Sequence, residues 1–486
     1  MANSETIIFM DWDFLKNPIS IDKISDNINL PKFIKKIVLE RDEDYNLKGT
    51  LKFEDTTFFP KHNEVAGSFD EGFIIEGASD DNSIAYTLDS CHIRKVTFGV
   101  ASGFAGTADL RFNKLNMKFS ENCQTHLTEW YVNGPNNVLF GSTEGRILKY
   151  YTTKERYLLN LKLKDSTNKV LDHGSSIQLI WGKCEDFNFL IHTVSSLGPK
   201  WSTNVGIEYR EDWGRIPKPH ERVKIEELCS FVFGKHLLSV GYTTYDKDEN
   251  IIDIHAQSPW GQDAKTLCSQ PEYPPIRIHD WPIGDAEKII NYLLPKYMEL
   301  SEPLCLTEAL WNYWMSFDIP IGINLPIIVS AIETIIHPWY KWKKTKSHGM
   351  YLGKKEFVNL LQAEIELISI KLATKLDIIK KPEQMKYHET IINNILRGNE
   401  FTFTDRLLEF FKEIGLKVSK NEIEAIKERH LFVHGHAHFD EVDWEQVIRR
   451  GNSLHTIFNK ILLQILEYKG DFIDRSIEGW NDAKLS

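Results

Sequence analysis

Four histidines crowd one short stretch of the chain: His430, His434, His436 and His438, with Arg429 ahead of them and Asp440 behind. Two chemistries fit such a cluster. In the first, His434, His436 and His438 share a face of an extended segment and bind a metal ion, with Asp440 adding a carboxylate. The spacing matches no strong metal signature, because the dinuclear HxHxDH pattern needs an acid where His438 stands and no HExxH occurs in the chain. In the second, Arg429 and His434 act on a phosphodiester without any metal or cofactor. Cleaving RNA through its own 2′-hydroxyl needs a base for that hydroxyl, an acid for the leaving 5′-oxygen and a cation for the charge that builds on phosphorus. Histidine titrates near neutrality and serves as either acid or base, and the guanidinium fork matches phosphate oxygens in pairs. One imidazole cannot do both jobs at once. A twofold dimer bringing two Arg/His pairs face to face would supply both.

An arginine five residues ahead of a histidine occurs three times, at Arg215/His220, Arg429/His434 and Arg450/His455. The first spans Pro217 and Pro219, which marks a loop. The third falls in a helical pattern, where five residues turn two side chains about 140° apart. The same objection meets Arg429 and His434 unless the helix ends between them, and Gly435 offers that break. The ordinary alternative is His434 as a cap on a helix C-terminus, favoured by the helix dipole.

Two kinds of element must carry these residues. The chain has 486 residues, 42% of them hydrophobic, with 13 Trp, enough apolar material for two or three packed domains. Its net charge of -11 argues against nonspecific grip on long nucleic acid, so any RNA contact has to be local. The start lacks a basic region followed by an apolar run, and the apolar segment 319–336 is interrupted by Asn324, Ser330, Glu333 and Thr334; a soluble, cytoplasmic protein with no membrane partner is the expectation. Six scattered cysteines with no CxxC pair read as reduced thiols.

From Tyr45 to Gln257 the pattern is period two, with strands expected over 46–53, 72–76, 94–99, 157–164, 176–181 and 251–254, one helix over 221–233, and turns at Asn133-Gly134 and around 77–82. The stretch 268–284 holds four prolines and reads as a boundary. Beyond it, apolar residues recur every three or four positions over 286–298, 357–372 and 454–466, and Ser419 with Glu422 forms a capping box. The expected class is α+β: a β-rich N-terminal domain over 1–275, then an all-helical bundle over 283–486.

Arg429, His430, Leu431, Phe432, Val433, His434 and Gly435 resemble the RX4-6H motif of HEPN domains, late in a helical domain as in that superfamily. The helix 325–336, with Ser330, Ala331 and Glu333, is similar to that family's first core helix. A β-rich domain ahead of such a bundle resembles the layout of ApeA-type anti-phage defence proteins. The resemblance implies a metal-independent endoribonuclease, dimeric through the bundle, that cuts RNA in abortive infection, with transfer RNA the leading substrate. It implies that Arg429 polarises the scissile phosphate, that His434 is the general acid/base, that His430 orients the pair, and that Glu333 braces Arg429. It also implies that the N-terminal domain senses a phage protein or restrains the nuclease.

For RNA approach, Lys341, Lys343, Lys344 and Lys346 lie among Trp339, Tyr340 and Trp342, a combination suited to backbone steering with base stacking. The competing reading is a solvated helix end whose aromatics pack inward. The runner-up for the whole chain is a non-catalytic module that binds nucleic acid or nucleotide and recognises a partner.

Overall fold

The computed structural model describes residues 15, 18–55, 57–58, 72–98, 106–135, 179–194, 203–248, 250–259, 264–278, 285–343, 351–352, 354–376, 384–428 and 443–485. The chain divides into two compact units, Met1–Met298 and Glu299–Ser486.

The first unit is antiparallel. In chain order its strands are β1 (Ile19–Ile21), β2 (Lys23–Ile24), β3 (Ile34–Arg41), β4 (Leu47–Phe53), β5 (Phe73–Ala78), β6 (Ala85–Phe98) and β7 (Gly106–Arg111). They continue as β8 (Lys114–Lys118), β9 (His126–Gly134), β10 (Leu179–Lys183), β11 (Phe187–Val194), β12 (Thr203–Gly214), β13 (Leu238–Tyr245) and β14 (Ile251–Gln257). In β4 burial alternates strictly, with Leu47, Gly49, Leu51 and Phe53 inward, as the period-two pattern requires.

The pairings β1–β3–β4–β7–β6–β5–β2 close on themselves, because β2 follows β1 directly in the chain. A core including Ile37, Leu51, Phe53, Leu88 and Leu110 fills that ring. The long strand β6 makes this closure: its first half pairs with β5 and β8, and its second half with β7. Between the halves Ser90 takes φ 56°, which bends the strand out of one ladder and into the other.

From β8 the order runs β8–β14–β13–β9–β12–β11–β10. The central strand β9 is buried along its whole length. Helix α1 (Pro219–Phe233) reaches Glu129 from one face through Arg222, while α2 (Ala264–Ser269) packs Leu267 against Trp130 and Val132 on the other. Proline at N1 and Glu221 in the first turn open α1, and Gly234 ends it at φ 68°. A Cβ on Gly234 would lie 2.0 Å from the Pro274 nitrogen. Asn133 does take a left-handed φ of 67°, but inside β9 at a register shift against β12, so it is a bulge and not the expected hairpin turn. The expected strand over 157–164 lies outside the described residues.

No helix or strand crosses 271–278, as four prolines nearby dictate. The next helix, α3 (Asp285–Leu300), belongs to the β-rich unit through Met298. The reason is edge protection. On β10, which has no further strand beside it among the described residues, the Trp181 N–H donates to Glu287 Oε2 at 2.9 Å and the Lys183 N–H to Asn291 Oδ1 at 2.7 Å, so α3 side chains take up donors of that ladder.

The second unit contains α4 (Leu306–Asp318), α5 (Asn324–Lys343), α6 (Lys354–Lys375), α7 (Met385–Arg397), α8 (Phe403–Glu413), α9 (Lys420–Glu428) and α10 (Trp444–Ile465). It is not wholly helical: β15 (Asp471–Ile473) and β16 (Asp482–Lys484) form a hairpin after α10. Strands of three residues are too short to register as a period in the sequence. Helix α10 is buried nearly all round and packs on α5 and α9. Its apolar residues Leu454, Ile457, Phe458, Ile461 and Leu462 explain that burial; the polar residues between them need partners.

Lys460 finds the strongest ones. Its Nζ donates to Glu422 Oε1 at 2.9 Å, to Oε2 at 3.0 Å and to the Lys417 carbonyl at 2.7 Å. Glu422 is also the far half of the expected capping box: it accepts from Ser419 N at 2.6 Å, while its own N–H donates to Ser419 Oγ at 3.2 Å. Replacing Lys460 by Met leaves Glu422 charged and buried, and should cost about 3–5 kcal/mol in chemical denaturation. The double replacement Lys460→Met with Glu422→Leu should recover most of that loss.

Candidate functional site

Two of the three Arg/His pairs are committed elsewhere. The Arg215 fork donates to both Glu221 oxygens at 2.6 Å and to Asp186 at 2.6 and 3.3 Å, a loop brace that holds the Glu221 carboxyl down at about 2. His455 is 5% exposed in the core. Its Nδ1–H donates to the Gly451 carbonyl at 2.8 Å, its Nε2 lies 2.8 Å from Ser316 Oγ, and its ring stacks on Phe317 with centroids 4.3 Å apart. Burial lowers its pKa to about 4, so it is a neutral packing element at pH 7.

Arg429, His430 and His434 lie outside the described residues, as do His436, His438 and Asp440 of the metal reading. Their flanks are described. Helix α9 runs to Glu428, and α10 opens at the N-cap Asp443, which accepts from Gln446 N at 3.2 Å. Among the described residues no cluster of His, Cys, Asp or Glu is arranged to hold a metal ion, and no helix is long and apolar enough to cross a membrane.

Of the other expected site residues, Glu333 stands exposed on α5, while Lys344 and Lys346 lie outside the described residues. Trp339 is 7% exposed and meets Phe410 edge-on at 6.0 Å. Lys343 folds its Nζ over the Trp339 and Trp342 rings at 5.1 and 4.8 Å. Trp339 is therefore packed into the bundle with no open face for a base; Lys341 and Lys343 are exposed, and Trp342 is half-buried.

The same unit holds a polar cavity of about 600 Å³ between α9, α10 and the β15–β16 loop. Its lining includes Asn421 and Glu424 from α9, Arg449 and Arg450 from α10, and Arg475 and Trp480 from the loop. Glu422 near the start of α9 meets Lys460 far along α10, whereas Ala425 shares the cavity with Ser453. The two helices thus run antiparallel, and α9 contributes Asn421, Glu424 and Ala425 to the cavity wall. The sequence signal for it was the adjacent pair Arg449-Arg450; Arg475 and Trp480 come from a loop that periodicity does not reveal. A larger groove of about 710 Å³ between α6 and α7 is lined by Ile365, Ile370, Ile392, Glu366 and Glu389, a poor match for an anion.

The β-rich unit holds a buried polar network that sequence reading also missed. Glu129 accepts from Arg222 Nε at 2.7 Å and from the Tyr131 hydroxyl at 2.8 Å, and Tyr209 lies at 3.4 Å. Desolvation, with Glu129 and Glu227 nearby, pushes the Glu226 carboxyl well above the usual range. These residues brace α1 against the sheet.

In comparisons with protein-family models, curated proteins and solved structures the chain finds no match.

His455 gives a pH prediction. Its folded pKa of about 4 lies below the ordinary 6.5, so acid favours the unfolded chain, which binds the proton more readily. Stability from this group should be complete above pH 6.5 and fall as pH drops toward 4; in melts across that window His455→Gln should show a shallower slope than the wild type.

Proposed function

We propose that the chain is a metal-independent endoribonuclease acting in anti-phage defence in the cytoplasm, with Arg429 and His434 as its reacting pair. The observation that carries this reading is elimination: of three Arg/His pairs at the same spacing, Arg215 is held by two carboxylates and His455 is sealed in the core. Arg429 and His434 remain, in a segment that a capped and pinned helix leads into. The resemblance of that segment to the HEPN motif adds the reaction.

In the proposed reaction a base takes the proton of a ribose 2′-hydroxyl, whose oxygen attacks the adjacent phosphorus. The P–O5′ bond breaks, and an acid protonates the leaving 5′-oxygen. The products are a 2′,3′-cyclic phosphate and a 5′-hydroxyl. Arg429 neutralises the phosphorane oxygens, and His434 from each of two protomers supplies base and acid in turn. His430 orients the pair and Glu333 braces Arg429. Lys341 and Lys343, with Lys344 and Lys346, steer RNA toward an otherwise acidic protein, with Trp342 as the stacking ring that keeps some exposure. Transfer RNA is the leading substrate, and the β-rich unit recognises a phage protein or restrains the nuclease.

Purified protein should cut RNA in EDTA, and Arg429→Ala or His434→Ala should each slow cutting by about 10²–10⁴-fold with melting unchanged. Abolition by EDTA would instead favour the histidine metal site. RNA binding with no cutting by the wild type would favour the non-catalytic module.

A further inference from the structure

The outer face of the closed sheet in the β-rich unit gathers positive charge, and we propose that it binds a single strand of nucleic acid, with phosphates on Lys36, Arg94 and Lys95 and a base on Phe33. This goes beyond strand cleavage and stands whether or not Arg429 and His434 cut RNA.

Register is the first argument. Strands β3, β4, β7 and β6 lie side by side, and Ile37, Leu51, Leu110 and Ile93 are among the residues they turn into the core. Alternation puts the residues between them outside. One outer row across the four strands reads Lys36, Lys52, Thr107, Thr97, and the next reads Val38, Thr50, Asp109, Lys95. A register shift between Ile93 and Lys95 adds Arg94 as an exposed bulge residue. Charge is the second argument. Lys36 stands directly opposite Lys52, a like-charge pairing that costs a sheet stability unless an anion offsets it. Asp109 is the one carboxylate in these two rows, against Lys36, Lys52, Lys95 and the bulged Arg94. Among the described residues the side chains of Lys36, Arg94 and Lys95 enter no ion pair. The third row is different: Lys48 lies 3.5 Å from Glu40, and Arg111 lies 3.5 Å from Asp42. In a chain of net charge -11, an uncompensated patch of this kind is the local footprint that phosphate binding requires. Thr50, Thr97 and Thr107 place hydroxyl donors between the cations.

The third argument is aromatic. Phe33 is 73% exposed and Phe98 41% exposed. Phe98 pairs with Gly106, one residue beyond the first row, and the Phe33 carbonyl accepts from the Glu54 N–H at 3.2 Å, so both lie at the Lys36/Lys52 end of the face. Phe98 leans edge-on against Phe53 at 6.3 Å, which leaves Phe33 as the more open ring. Phe33 takes φ 57°. The left-handed region is costly for a bulky side chain, so the chain holds this phenyl ring in water at the expense of local strain. An exposed ring beside lysines can stack a base while the ammonium groups hold the backbone, and every base offers a face to stack. An acidic peptide would use the cations but not the ring.

RNA and single-stranded DNA share this chemistry. Full-length His434→Ala protein, so that no strand is cut, is titrated by fluorescence anisotropy with labelled oligouridylate, with oligodeoxythymidylate, and with oligoglutamate of equal charge. At least one nucleic acid should bind, and the double replacement Lys36→Gln with Lys95→Gln should weaken it about tenfold or more at low salt. Each lost phosphate contact removes about 0.7 from the slope of log affinity against log salt, so the slope should fall by about 1.4. Lys36→Arg with Lys95→Arg should leave affinity and slope unchanged. Phe33→Ala should weaken binding about fivefold or more, and Phe33→Trp should restore it, which a merely structural role for the ring would not produce. Equal losses on both nucleic acids identify a reader of the backbone, and loss on oligouridylate alone identifies a reader of RNA. Absence of binding by either nucleic acid, or unchanged affinity and slope in the folded Lys36→Gln, Lys95→Gln protein, overturns the proposal. So does oligoglutamate binding as tight as that of the nucleic acids and indifferent to Phe33→Ala.

Discussion

The helical unit is organised by one buried ion pair. Lys460 and Glu422 expose only 7% and 2% of their side chains, and taking two such charges out of water costs several kcal/mol per ion unless each is met by close partners. Both are met. Glu422 accepts from the ammonium and from Ser419 N, while Lys460 also reaches the Lys417 carbonyl and lies 5.6 Å from the Phe472 ring. A slip of α9 by one residue would break all of these at once. The register of α9, and so the point at which the chain enters Arg429, is set by a penalty far larger than the intrinsic preference of a nine-residue helix.

The same logic recurs along α10. His455 ties the helix to Ser316 on α4, Thr456 Oγ1 accepts from the Arg475 N–H at 3.2 Å in the terminal loop, and Lys460 holds α9. These three buried polar residues of α10 each engage a different element, so one helix fixes the relative placement of three. Where that spine nears solvent, at Arg449 and Arg450, it lines the polar cavity.

Much of this was legible in the sequence for physical reasons. Strict alternation in 47–53 and the three-four spacing in 454–466 reflect burial on one face or all round, and burial is what periodicity reports. The Ser419/Glu422 box was legible because capping is local. What escaped was set by tertiary pairing. Asn133 carried the left-handed preference of a turn, yet a register mismatch between β9 and β12 used it as a bulge. Lys460 looked like any helix lysine until Glu422 was brought beneath it. Trp339 looked available for stacking until Phe410 and Lys343 covered it. Helix α3 was read with the bundle, but its Glu287 and Asn291 complete the edge of β10.

The central claim is that a guanidinium and an imidazole let RNA attack itself through its 2′-hydroxyl. The measurement that reaches it most directly compares two oligonucleotides of one sequence, all-ribose and all-2′-O-methyl, incubated with the full-length chain in EDTA. Cleavage of the ribose strand with the methylated strand left whole is the predicted result. Equal cleavage of both would show that water or another nucleophile attacks phosphorus, and would contradict the account.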